Sequence, residues 1–211
     1  MTYIYTAEQG SDEWLAARRG VVTGSRFRDA RERKRDGSMT DKCLGYAMDL
    51  ARERAGGVAP QVYVNAAMRQ GTEQEPLARA AYADQQGLYV EQTGFWTTDD
   101  GMFGASPDGL VGELGLIEIK TMVSSQTLFR AVVNRDLSDY LDQINGALWI
   151  TGRRWCDLVL WAPDLEPIGR HLTVIRITRD EDEIDAMVAD LVEFSRLVTR
   201  LETQLRQPLA A

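Results

Sequence analysis

Histidine, cysteine and lysine are scarce in this chain of 211 residues, which holds 1, 2 and 3 of them. The single histidine, His171, lies at the start of a candidate strand, RHLTVIRIT, with no serine or cysteine motif upstream for it to serve. That excludes a Ser-His-Asp triad and a transition-metal site built on histidines, and His171 reads as structural or surface. Cys43 and Cys156 are far apart and show no paired spacing. They read as buried thiols, so neither a disulfide frame nor a zinc site is expected. No apolar run approaches the ~20 residues that a membrane helix needs. The opening MTYIYTAEQG lacks the charged and apolar regions of a signal peptide. A cytoplasmic location with no membrane association is the expectation. With these options removed, catalysis would rest on carboxylates, arginine, the rare lysine and hard divalent metal ions.

What is present is ordinary for a globular domain: 44% hydrophobic and 27% charged residues. No linker, repeat or low-complexity segment divides the chain, so residues 1–211 read as a single domain. The net charge of −8 argues against a polyanionic partner, but its distribution argues the other way. Eight of the 24 basic residues fall between Arg18 and Arg35, against the acids Asp29 and Glu32, while Asp180 to Glu193 holds seven acids and no base. One basic groove tracks phosphates even on an acidic protein, because local potential attracts the polyanion. A solvated helix face is the other reading of the same residues, and charge alone does not choose between them.

Periodicity and caps predict helices first. Ser11 caps SDEWLAARRG, with Trp14 and Leu15 turned inward and Gly20 as its stop. Thr23 or Ser25 starts a second helix through the arginine cluster, where free N–H groups and the dipole favour an anion near Arg18, although an ordinary N-cap needs no ligand. Thr40 opens a third helix that Gly56-Gly57 closes. A fourth helical region from about Val64 to Gln86 carries Glu73 and Glu75, with a break and restart at Pro76. Strands follow, beginning with LYVEQTGFWT. After them come a helix capped by Ser124, a helix SDYLDQINGALWITG, and the strands RWCDLVLWA and RHLTVIRIT. A long helix from Asp180 to about Gln204 places Ile184, Met187, Leu191, Phe194 and Leu197 on one stripe. The fold class is α/β (α+β), a central mixed β-sheet with helices covering both faces.

The stretch FGASPDGLVGELGLIEIKT, Phe103 to Thr121, concentrates the chemistry. It reads as strands Phe103–Ser106 and Asp108–Val111, a tight turn, and a strand Leu116–Lys120. Alternation puts Glu118 and Lys120 on one face of that last strand and buries Ile117 and Ile119 on the other. If the turn folds the strands together, Asp108, Glu118 and Lys120 converge. Two carboxylates suit Mg²⁺, which keeps several waters and uses few protein ligands. The bland alternative is a cross-strand pair of Lys120 with an acid.

Pro107-Asp108 followed by Glu118-Ile119-Lys120 resembles the PD-(D/E)xK nuclease superfamily, which implies a restriction-endonuclease-like core. The blocks EQGSDEWLAARRGVVTGS, GTEQEPLARAAY, ASPDGL, LIEIK and YLDQINGALWITG are similar, in order and spacing, to the phage-lambda-type recombination exonucleases, the YqaJ-like family. That resemblance implies a Mg²⁺-dependent, processive 5′→3′ exonuclease on double-stranded DNA, with two ions per site and Mn²⁺ as a substitute. It implies a preference for 5′-phosphorylated ends, 3′ overhangs for single-strand annealing, a ring-shaped homotrimer and an annealing protein as partner. Carried over residue by residue, Asp108, Glu118 and the carbonyl of Ile119 ligate metal, Glu75 adds a carboxylate, and Lys120 positions the attacking water. Arg18, Ser25 and Ser106 match the grip on the 5′-phosphate. Gln143 matches the first glutamine of the family's QxQ helix, Asn145 stands where the second is usual, and Met68 aligns with a wedge that splits the terminal base pair. Two rivals use the same residues: an endonuclease or junction resolvase on this core, and a catalytically inactive module that binds DNA ends.

Overall fold

The structure is a computed structural model that describes residues 3–7, 9–58 and 66–207. In chain order these form β1 (Tyr3–Tyr5), α1 (Asp12–Ala17), β2 (Val22–Thr23), α2 (Phe27–Arg31), α3 (Asp41–Arg54), α4 (Ala66–Gln86), β3 (Phe95–Thr97), β4 (Phe103–Ala105), β5 (Gly109–Val111) and β6 (Gly115–Thr121). Then come α5 (Ser125–Leu128), α6 (Leu141–Thr151), β7 (Trp155–Trp161), β8 (Leu172–Thr178) and α7 (Glu181–Arg206). Side-chain caps start four of the helices: Ser11 accepts from Trp14 N, Thr40 from Cys43 N, Ser124 from Thr127 N and Asp180 from Glu183 N, each at 3.2 Å. Each cap satisfies an amide that the helix itself leaves without a partner.

The mixed sheet flanked by helices is divided in two, with strand orders β1-β3-β4-β2 and β5-β6-β7-β8. In the second sheet β6 runs antiparallel to β5 and parallel to β7, and β8 returns antiparallel. Alternation along β6 and β7 sends side chains to two separate cores. Leu116, Cys156, Leu158 and Leu160 join the main core with α2, α3, α6 and α7, while Ile117, Ile119, Val159 and Trp161 pack under Ala78 and Tyr82 of α4. The sheet is therefore covered on both faces, which explains apolar runs on both sides of its central strands. On α7, Ile184, Met187, Leu191 and Phe194 are buried as the stripe predicts, and Leu197 is partly so. No helix among the described residues is long and apolar enough to cross a membrane.

Several expectations need correction. Leu15 is exposed; α1 has only six residues and turns Trp14 inward instead. The second helix is short, Thr23 and Arg26 make no side-chain cap, and a 3-10 turn at Gly24–Arg26 precedes it. Of the strand expected in LYVEQTGFWT, only Phe95–Thr97 forms, with Glu91 bridging singly to Leu110. The helix break at Pro76 does not occur. A proline inside a helix costs about 3 kcal/mol, but Tyr82 and Ala78 just beyond it are wholly buried, and the Tyr82 hydroxyl donates to Asp157 Oδ2 at 2.7 Å. That docking keeps the helix straight through. The expected start at Val64 lies outside the described residues.

The arginine cluster is not a free basic groove. Arg26 pairs with Asp29, Arg28 with Asp139, Arg31 with Asp142 and Asp190, and Lys34 with Asp41. The acids that answer it come largely from the α5–α6 connection, α6 and α7, so the cluster fastens α2 to its neighbours.

Two glycines in helices separate local propensity from packing. A Cβ on Gly45 of α3 meets open space, whereas one on Gly146 of α6 falls 2.4 Å from the buried Phe27 ring. Gly45→Ala is expected to stabilise by up to about 1 kcal/mol, and Gly146→Ala to destabilise by about 1–3 kcal/mol through overpacking. Urea unfolding of the two variants measures the opposite signs.

Candidate active site

The register of β5 on β6 pairs Gly109 with Ile117 and then stops. Asp108 N still donates to Ile117 O at 3.2 Å, but the amide of Ile119, the next on that edge, has no main-chain acceptor. The Asp108 side chain takes that role, its Oδ2 accepting from Ile119 N at 2.6 Å. A residue's N–H and C=O leave an extended strand on the same edge. The carbonyl of Ile119 therefore opens into the gap that the Asp108 carboxylate lines.

Glu118 and Lys120 share the β6 face that looks toward α6. Glu118 is 2% exposed, and its Oε1 is met by Lys120 Nζ at 2.8 Å and by Gln143 Nε2 at 2.5 Å. Lys120 Nζ also donates to Gln143 Oε1 at 3.0 Å. Three side chains from β6 and α6 thus close a triangle in which the amide of Gln143 is oriented by both charges. Burial pulls the Lys120 pKa down, but the Glu118 and Asp108 charges outweigh it and hold the pKa above its ordinary value. Lys120 stays an ammonium through neutral pH, able to donate a hydrogen bond.

Glu75 reaches the same site from α4, with its carboxylate ion-paired to Arg79 one turn on. Burial raises its pKa, and the charge of Glu118 adds to this against the pull of Arg79. Asp108 is held well above the usual carboxylate range, by burial first and then by the Glu118 and Glu75 charges. Lys120 answers Glu118 and Arg79 answers Glu75, but among the described residues no cation side chain bonds the Asp108 carboxylate. The site is short of positive charge.

At the other end the imbalance reverses. Arg18, one turn after Trp14, lies with its guanidinium 4.0 Å from the Trp14 ring centroid and 5.1 Å from that of Phe95. Its Nη1 donates to Ser106 Oγ at 3.4 Å. Among the described residues no carboxylate pairs with it, and burial lowers its pKa to about 10, so it remains charged. A desolvated cation held by two ring faces and one hydroxyl is suited to an oxyanion.

A cavity of about 550 Å³ joins the two ends, lined among others by Arg18, Ser25, Met68, Glu75, Ser106 and Asp108. Glu118, Ile119, Lys120 and Gln143 complete its floor and wall. Of the residues singled out in the sequence, Asn145 alone is not brought in. Two positions from Gln143 is roughly 200° around a helix, and Asn145 is buried away from the cavity lining. Sequence reasoning missed Trp14, Phe95 and Arg79. The first and third stand four residues from Arg18 and Glu75 on helices, a spacing that brings side chains together; nothing local marked Phe95.

The donor set has the chemistry for Mg²⁺. Among the described residues no three His, Cys, Asp or Glu side chains form a ready-made cation cage. Mg²⁺ does not require one, since it binds through one or two carboxylates and keeps several waters. Asp108 and Glu118 are hard oxygen donors, the Ile119 carbonyl adjoins them, and the uncompensated charge on Asp108 supplies a reason for a cation to bind.

Residues 13–154 match the YqaJ-like viral recombinase domain, a span containing every site residue named above. The chain belongs to that family. Its fold is similar to that of an alkaline exonuclease, LHK-Exo, from Laribacter hongkongensis, at 34% identity, a TM-score of 0.81, and coverage of 93% of this chain and 97% of that one. The same enzyme in complex with dAMP matches at 35% identity and a TM-score of 0.78, covering 92% and 94% of the two chains. A phage-related exonuclease from Haemophilus somnus 129PT shares the fold at 16% identity and a TM-score of 0.65, with 88% and 94% covered. No curated protein sequence matches. The YqaJ-like chain thus has the mixed α/β architecture of the PD-(D/E)xK alkaline exonucleases.

The raised pKa of Asp108 gives a stability test. A carboxyl whose folded pKa lies above its unfolded value costs nothing below about pH 4, where it is protonated in both states, and destabilises as pH rises. In chelator, Asp108→Asn is expected to match the wild type near pH 4 and to be the more stable of the two at neutral pH. Denaturant melts at the two pH values check the sign.

Proposed function

We propose that the chain is a Mg²⁺-dependent exonuclease that digests one strand of duplex DNA 5′→3′ from phosphorylated ends and leaves 3′ overhangs. The observation that carries this reading is one cavity with an oxygen-donor set short of positive charge at one end and an unpaired buried arginine at the other. A scissile phosphodiester bridging them would bring its terminal phosphate to Arg18. The resemblance to LHK-Exo supports it, because that enzyme binds dAMP, the product class of a hydrolase that releases one nucleotide at a time.

Asp108, Glu118 and the carbonyl of Ile119 would hold the metal, with Glu75 available to a second ion; Mn²⁺ accepts the same ligands. When bound, the metal acts as a Lewis acid that offsets phosphate charge and acidifies the attacking water. The protein does the rest. The ammonium of Lys120, fixed by Glu118 and Gln143, donates to the water's oxygen and orients it toward phosphorus. Arg18, with the hydroxyls of Ser106 and Ser25, grips the 5′-phosphate and sets the register by one nucleotide. Met68 at the rim is the wedge that parts the end base pair, and Asn145 acts only through the packing of α6. A ring homotrimer and a single-strand annealing partner complete the proposal on the strength of the family resemblance.

Linear duplex with Mg²⁺ is expected to release acid-soluble nucleotides, covalently closed circles to stay intact, and chelator or Asp108→Ala to abolish release. Cutting of circles would identify an endonuclease, and end binding without release an inactive module. A charged hydrogen bond to phosphate is worth about 1.5–3 kcal/mol. Arg18→Ala is therefore expected to narrow the rate ratio between phosphorylated and hydroxyl ends by roughly 10–100-fold. An unchanged ratio removes Arg18 from the phosphate grip.

A further inference from the structure

Arg79 is the residue that the reaction above does not use and that touches two of its carboxylate positions. Its side chain is 14% exposed. It donates through Nη2 to Glu75 Oε1 and through Nε to the main-chain carbonyl of Asp108, the latter at 2.9 Å. An i,i+4 ion pair on a helix is by itself commonplace and worth only ~0.3–0.5 kcal/mol. The second bond is what makes this arginine different, since it crosses from α4 to the bend that carries Asp108, 29 residues further along the chain.

The surroundings explain why such a tie matters. Pro76 follows Glu75 directly and has no N–H, so α4 is missing one of its own hydrogen bonds beside the carboxylate. A second cavity, of about 800 Å³, shares Glu75 and Asp108 with the first and is also lined by Pro76 and Arg79. Glu75 and Asp108 thus each border two open spaces, and Arg79, which lines the second, bonds to both residues. The two bonds leave different nitrogens of a rigid planar fork, a geometry that the single nitrogen of a lysine does not reproduce.

We propose that Arg79 is a positioning residue. It sets the separation between the Glu75 carboxylate and the Asp108 bend, and through it the affinity of the site for divalent cations. This rests on the metal-dependent reading above. Groups that orient metal ligands without touching the metal commonly change affinity by about 10–100-fold when removed.

The test is Mn²⁺ binding to DNA-free protein, by titration calorimetry or by the loss of the free-Mn²⁺ electron paramagnetic resonance signal. It would be run on wild type, Arg79→Ala and Arg79→Lys, with melting temperatures alongside. The expected result is a Mn²⁺ affinity about 10–100-fold weaker in Arg79→Ala and intermediate in Arg79→Lys. In activity assays, higher Mg²⁺ is expected to restore much of kcat to both, with KM for DNA ends little changed. A Mn²⁺ affinity within twofold of wild type in the folded variants overturns the proposal, whatever happens to the melting temperature, because a merely structural residue lowers stability without moving metal affinity. Should Arg79→Ala not fold, Arg79→Lys decides by the same criterion. Wild-type protein that neither binds Mn²⁺ nor digests DNA defeats the metal-dependent reading itself, and is told apart from failure of this proposal by that control.

Discussion

The β5–β6 hairpin ends its pairing at Gly109 and Ile117, and at that open end a carboxylate takes over where the backbone leaves off. The Ile119 amide would otherwise stand unsatisfied in a half-buried edge, at a cost of about 1–3 kcal/mol. The hydrogen bond from Ile119 to Asp108 removes that cost and locates the carboxylate with the precision of a strand rather than of a loop. Glu118 and Lys120, one residue to either side on β6, inherit the same precision. Burial of Ile117 and Ile119 under α4 then prevents the strand from slipping, because a shift by one residue would exchange its two faces.

Charge is distributed by the same economy. The net charge is −8, and Arg28 and Arg31 of the arginine cluster are tied to acids of α6, α7 and the connection before α6. Arg18 has no carboxylate partner among the described residues and lies against the rings of Trp14 and Phe95. A single desolvated guanidinium acts over a short range, so on the proposed reading it would read an end that has already entered the cavity rather than draw in a duplex from solution.

Much of this was legible in the sequence, for identifiable reasons. Ser11, Thr40, Ser124 and Asp180 signalled helix starts because a cap depends on three or four consecutive residues. The strand carrying Glu118 and Lys120 was legible because alternation is local, and the stripe on α7 because its period is regular. The course of α4 through Pro76 was not, since the compensation comes from Tyr82 meeting Asp157 on a strand 75 positions later. The fate of the arginines was likewise set by acids that only the tertiary fold brings near. Asn145 illustrates the limit within the site itself. Its place in a family pattern suggested a contact, but the pitch of α6 turns it into the core.

The two ends of the cavity are best understood together. The Asp108 carboxyl has no bonded cation among the described residues and the Arg18 guanidinium no paired carboxylate, although both line one cavity. Holding a carboxyl above its usual pKa and an arginine well below its own costs folding free energy that a structure selected for stability alone would avoid by pairing them. On the proposed reading, a divalent cation would relieve the cost at the carboxylates and a phosphate would relieve it at Arg18. A nucleic-acid end carrying metal counter-ions would supply both at once, whereas either partner alone would correct half of the imbalance. On that reading the protein would be complementary to a phosphodiester with cations on one side of it, which is how preorganised charge contributes to catalysis rather than to binding alone.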